Sequence, residues 1–140
     1  MDSTAILLQT MKCRYLRHRF VGVFSADTFP IPLNDNTFII VNSENSDEEG
    51  KHWLFICNKG GIYLFGDPLG LRLDAFKKVN KRLTYADFSC QELIQKPLQP
   101  PTSNLCGLYC IYIAHYVFSG YYPVIPLIDD ERLLRFVKHL

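Results

Sequence analysis

At 140 residues, 48% of them hydrophobic and 14% aromatic, the chain is long enough for a core of its own and too apolar to be a disordered segment. A net charge of +1 excludes strong overall attraction to nucleic acid and leaves only local basic patches. Five cysteines cannot all close as disulfides within one chain. Neither a leader peptide nor a membrane-spanning run is legible, so the expectation is one reduced, soluble, intracellular domain over residues 1–140.

The predicted elements follow in chain order, without internal repeats. Residues 4–19 carry apolar side chains at Leu7, Leu8, Met11, Tyr15 and Leu16, spaced for an amphipathic helix with a basic end. Residues 20–24 form a short strand, 26–36 a loop with two prolines, and 38–41 an apolar strand. Residues 42–51, NSENSDEEGK, are an acidic loop. Residues 52–57 and 62–65 form two more strands around Asn58-Lys59-Gly60-Gly61, a strong hairpin signal. A short basic helix is expected over 71–79 and a further strand over 83–86. Residues 95–102 are a proline-broken loop. Helices are expected over 105–118 and 129–140. Adjacent apolar strands among helices argue for α+β, a central mixed or antiparallel sheet packed against the buried helix 105–118.

That helix begins QPPTSNLCGLYC. Ser103 or Asn104 is the expected N-cap, which places Cys106 at the second or third helical position. Unpaired N–H groups and the positive helix end lower a thiol's pKa there and favour the thiolate. The same N–H groups can hold an oxyanion, and Gly107 keeps the approach open. Cys106 can equally be a small core hydrophobe unless a base lies nearby.

The hairpin supplies a base. With Lys59-Gly60 as its two-residue loop, Cys57 faces Ile62, Phe55 faces Leu64, and His52 faces Asp67 on one side of the sheet. That suits a carboxylate accepting the Nδ1 hydrogen of a catalytic imidazole. The alternative is a strand-end histidine meeting a turn aspartate with no chemistry.

Taken together these pieces resemble the adenain-like cysteine proteases, the adenoviral maturation protease and its viral and transposon relatives, which share a core with the ubiquitin-like-protein-specific proteases. The resemblance runs through FVGVFSADTFP, FIIVNSENSDEEGKHWLFICN, IYLFGDPLG and QPPTSNLCGLYC, in that order. It implies Cys106 as nucleophile, His52 as base and then acid, Asp67 as the orienter of His52, and Gln99 as a side-chain donor to the oxyanion. Trp53, following His52, would pack on the imidazole or wall a narrow groove that admits glycine.

The implied activity is cleavage of viral or transposon precursor proteins, of the capsid or core, at glycine-containing sites. The enzyme would act as a monomer in the host nucleus or cytoplasm, or packaged in virions. The chain departs from the adenoviral pattern in being shorter and in having Asp67 where Glu is frequent. The adenoviral enzyme is activated by a short peptide, which can pair with a cysteine placed like Cys90, and by DNA. No cofactor is demanded by this sequence. An activating peptide is compatible with it, and a DNA cofactor fits poorly with near-neutral charge. The basic residues Lys77, Lys78, Lys81 and Arg82 read as a solvated face.

Two rivals remain: an isopeptidase for ubiquitin-like proteins, and an inactive binding module on the same scaffold. A zinc site from Cys106, Cys110 and His115 fails on helix geometry, because His115 lies on the opposite face.

Overall fold

Two strands buried on both faces organise the molecule. In the computed structural model, which describes residues 2–120 and 124–140, β2 (Thr37–Asn42) and β3 (Trp53–Lys59) are almost wholly buried. Their continuous apolar runs, without polar alternation, are what strands covered on both sides require. Phe38, Ile40, Trp53, Phe55 and Cys57 face one cluster, and Ile39, Val41, Leu54 and Ile56 face another. Around them the order is β1 (Phe20–Phe24), β2, β3, β4 (Ile62–Gly66) and β5 (Gln91–Glu92). The outer pairs, β1 with β2 and β4 with β5, are parallel, and the inner pairs are antiparallel. The fold is therefore α+β with a five-stranded mixed sheet.

The first cluster packs against α3 (Cys106–Phe118), in which all residues but His115 and Tyr116 are buried. Two of its tyrosines satisfy their hydroxyls at depth. Tyr109 donates to Asp130 Oδ1 at 2.7 Å and Tyr112 to the Pro126 carbonyl at 2.7 Å. The first bond ties α4 (Asp130–Lys138) to the central helix, and the second ties down the segment before it. The second cluster is covered by α2 (Lys77–Tyr85) and by Phe29 and Leu33 of the loop after β1.

The helix expected over 4–19 is shorter and turned. α1 is Ser3–Lys12, and it buries Ile6 and Thr10. The expected stripe of Leu7, Leu8, Met11 and Tyr15 is exposed. Thr10 tolerates burial because its hydroxyl donates to the Ile6 carbonyl at 2.8 Å. The extended Cys13 then breaks the helix, so that Cys13 and Leu16 both reach the core.

The basic helix expected over 71–79 lies later, after a 3-10 turn at Leu73–Ala75. Residues 83–85 belong to it and not to a strand, because Val79 and Leu83, four apart, share the buried face. The missing strand is the two-residue β5, too short and polar to show alternation.

The loop after β4 touches the proline loop before α3. The Pro68 carbonyl accepts N–H groups from Leu98 at 2.8 Å and Gln99 at 2.9 Å. Gly70, at φ 78°, sits where a Cβ would lie 2.8 Å from Pro97 N and 2.9 Å from the Lys96 carbonyl carbon. Gly70→Ala should therefore cost about 1–3 kcal/mol from backbone strain alone. The check is the urea midpoint, and an unchanged midpoint would mean the two loops are not locked together.

Candidate active site

The two glycines of the hairpin, at φ 61° and 89°, take the left-handed conformations of a tight turn that Lys59 would resist. The loop is therefore Gly60-Gly61. Lys59 pairs with Ile62, Cys57 with Leu64 and Phe55 with Gly66, two positions from the register read in the sequence. A slip of two keeps every side chain on its expected face. His52, one residue before β3, and Asp67, one after β4, still meet at the rim of the sheet.

Their contact runs from His52 Nε2 to Asp67 Oδ1, where Nδ1 had been expected. The carboxylate stands past the strand ends and takes the far ring nitrogen. Cys106 is the second hydrogen-bond partner of His52.

Asp67 is fully buried. Its Oδ1 also accepts the Leu69 N–H at 3.1 Å, and its Oδ2 the Leu71 N–H at 3.0 Å. The carboxylate is thus held on both oxygens. His52 is anchored through its carbonyl, which accepts the Ser43 N–H at 2.8 Å. Asn42 Oδ1 closes the acidic loop just upstream, accepting from Glu44 at 3.0 Å and Lys51 at 3.3 Å. The Phe76 ring stacks on the imidazole, centroids 5.9 Å apart.

Cys106 comes from the other face of the sheet, on α3. The expected cap is displaced. Ser103 Oγ accepts the Leu105 N–H at 3.2 Å, Leu105 is the N-cap, and Cys106 is the first helical residue. The hydroxyl is spent on the N–H of Leu105, ahead of the first helical turn, so neither Ser103 nor Asn104 caps the helix. The thiol still meets backbone donors, the N–H groups of Gly107 and Trp53.

Burial by itself would raise the Cys106 pKa. The hydrogen bond and charge of His52, with those two N–H groups, reverse this and hold it below the ordinary thiol value. Burial likewise opposes a charged His52, but Asp67 and Cys106 lift it to about 9. Both shifts favour the thiolate–imidazolium form of the pair.

Gln99 is 3% exposed. Its Nε2 donates to the Ser103 carbonyl at 2.8 Å. A flipped amide would set two oxygens together, so this contact fixes the orientation. The second Nε2 hydrogen is left over, while Oε1 has no partner. Gln99, Trp53, His52 and Cys106 all line one open cleft of about 810 Å³, with Val23 and Phe24 of β1 on its wall.

All the site residues read from the sequence thus converge. Phe76, Asn42 and the Trp53 N–H were missed. Nothing in the sequence marks Phe76, and a backbone donor has no residue signature. Among the described residues, no group of three or more His, Cys, Asp or Glu could hold a metal ion, and no helix is long and apolar enough to cross a membrane.

No protein-family model matches the chain. The protease of avian adenovirus 8 (strain ATCC A-2A) is 34% identical over 131 residues, covering 79% of this chain and 61% of the relative. The chain is similar to the adenoviral proteases. It spans about three fifths of the length of that relative. Among solved structures, the ASFV pS273R protease matches with 18% identity and a TM-score of 0.44, over 74% of this chain and 43% of its own.

The paired charges predict a pH profile for this site. Alkylation of Cys106 by iodoacetamide should stay fast well below the usual thiol range, and His52→Ala should restore an ordinary thiol profile. Above about pH 9 His52 loses its proton, so any step needing the imidazolium should decline there. A Cys106 rate that rises only near the ordinary thiol pKa would rule out the pair.

Proposed function

We propose that the chain is a cysteine peptidase of the adenoviral type. One observation carries this reading: a single imidazole hydrogen-bonded both to a buried carboxylate and to a thiol on the first turn of a buried helix. The Cys106 thiolate attacks the scissile carbonyl. The oxyanion that forms is held by N–H groups at the start of α3 and by the spare Gln99 hydrogen.

The C–N bond then breaks. The His52 imidazolium gives its proton to the departing amine, leaving an acyl thioester on Cys106. Neutral His52 next takes a proton from water, which attacks the thioester and releases the acid. Asp67 holds the imidazole throughout.

In this reading the substrates are viral or transposon-encoded precursor proteins of capsid or core, cut next to glycine, with Trp53 walling the groove that refuses larger side chains. The enzyme works as a monomer and a single domain, inside the host cell or packaged in the particle. An activating peptide belongs to the same reading, but disulfide capture at Cys90 does not. Burial pushes that thiol up to about 12, which makes exchange slow.

The decisive experiment treats wild type and Cys106→Ala with a glycine-ended vinyl-sulfone probe and with a peptide carrying a Leu-x-Gly-Gly junction. Labelling and cleavage are expected in wild type and absent in the variant. Gln99→Ala should retain labelling and lose about 10²–10³ in kcat/KM. A folded wild type that does neither, with candidate peptide and DNA activators present, would replace the peptidase by a binding module.

A further inference from the structure

His52 lines two cavities. Besides the main cleft, it borders a second space of about 410 Å³, lined by Leu69, Ala75 and Phe76 together with Lys51, Lys77 and Lys78. The two spaces share His52, Leu69, Glu44 and Lys51, so they adjoin. Cys106, Gln99 and Trp53 line only the first. The second cavity therefore belongs to the flank of the imidazole away from the thiol.

The charge changes across that imidazole. The main cleft carries Asp2, Glu44 and Glu48 against Lys51. The second cavity carries three lysines against Glu44. Lys78 is committed to Glu44 at 2.8 Å and Glu48 at 2.7 Å. Lys51 and Lys77 are exposed and make no ion pair within 4.0 Å among the described residues. The stacked Phe76 gives the cavity an apolar wall directly against the catalytic ring.

Chemistry assigns the two spaces. The acyl half of a substrate stays bonded to Cys106, beside the oxyanion donors. The amine half receives its proton from His52 and leaves on the side of the imidazole. We propose that the second cavity is the subsite for residues on the leaving side, and that it selects substrates with an acidic side chain within three positions after the scissile bond. The selection rests on the peptidase reading above. It comes from Lys51 and Lys77, with Phe76 and Leu69 packing against the neighbouring residue.

The test uses three quenched fluorogenic peptides with one glycine-rich acyl half and acidic, neutral or lysine residues after the cut. An aminocoumarin amide of the same acyl half, which has no leaving-side residues, is assayed in parallel. The acidic peptide should exceed the lysine peptide in kcat/KM by roughly tenfold at low salt, with the gap narrowing as salt screens the charges.

The double variant Lys51→Glu, Lys77→Glu should invert that order while keeping its unfolding midpoint. Lys81→Glu, on the same helix but outside the cavity, should keep the wild-type order. Equal kcat/KM for the three peptides, with the amide still hydrolysed, would overturn the subsite and spare the peptidase. A preference that survives the double variant would do the same. If even the amide is untouched, the peptidase reading falls and the subsite with it.

Discussion

One buried carboxylate holds the rim of this sheet together. Asp67 has no exposed surface, so both of its oxygens must find donors inside the protein. It finds them in the N–H groups of Leu69 and Leu71 and in the ring of His52. Satisfying the charge therefore bends the chain after β4 into a fixed loop and aims the imidazole in the same act. Pro68, the next residue, presents its carbonyl to Leu98 and Gln99. Three segments distant in sequence are thus set in register by one aspartate and its neighbour.

The five cysteines separate burial from partnership. Burial raises the thiol of Cys57 to about 12 and that of Cys110 well above its ordinary value. Cys106 is also buried, and its pKa moves the other way. The difference lies in what each sulfur meets. Cys110, one turn further along α3, is enclosed among apolar side chains, with the helix donors already used within the helix. Cys106 meets the His52 imidazole and the N–H groups of Trp53 and Gly107. Position on the helix, not residue type, moves the two thiols in opposite directions.

Much of this was legible because the relevant signals are local and physical. Unbroken apolar runs marked β2 and β3, and parity in a hairpin carried His52 and Asp67 to one face whether the register was right or shifted by two. What was not legible depends on tertiary choices. The exposed stripe on α1 looks more apolar than its buried face, and only the packing of Ile6 and Thr10 decides between them. The helical reading of residues 83–85 depends on Leu83 joining Val79 against the sheet. The helix cap depends on whether the Ser103 hydroxyl reaches into the first turn or stops at the Leu105 N–H. Phe76 carries no signal at all, since its value comes from the ring it stacks upon.

The acidic loop shows how charge can be cancelled structurally and still shape a cleft. Glu44 and Glu48 would repel one another across the loop, and both are drawn to Lys78 on α2. The lysine's stronger hold on its proton has the same cause. These groups are partly exposed, so the gain in stability is small and salt-dependent. Their effect is geometric: the loop that leads into His52 is tied to the helix that begins beside Phe76. Because Asn42 closes the same loop from the strand side, the segment before His52 is held at its base and at its flank. In the proposed peptidase, an imidazole that shuttles a proton between sulfur and a departing amine needs that rigidity, since its ring is engaged by both Asp67 and Cys106 and has no slack to recover a misplaced backbone.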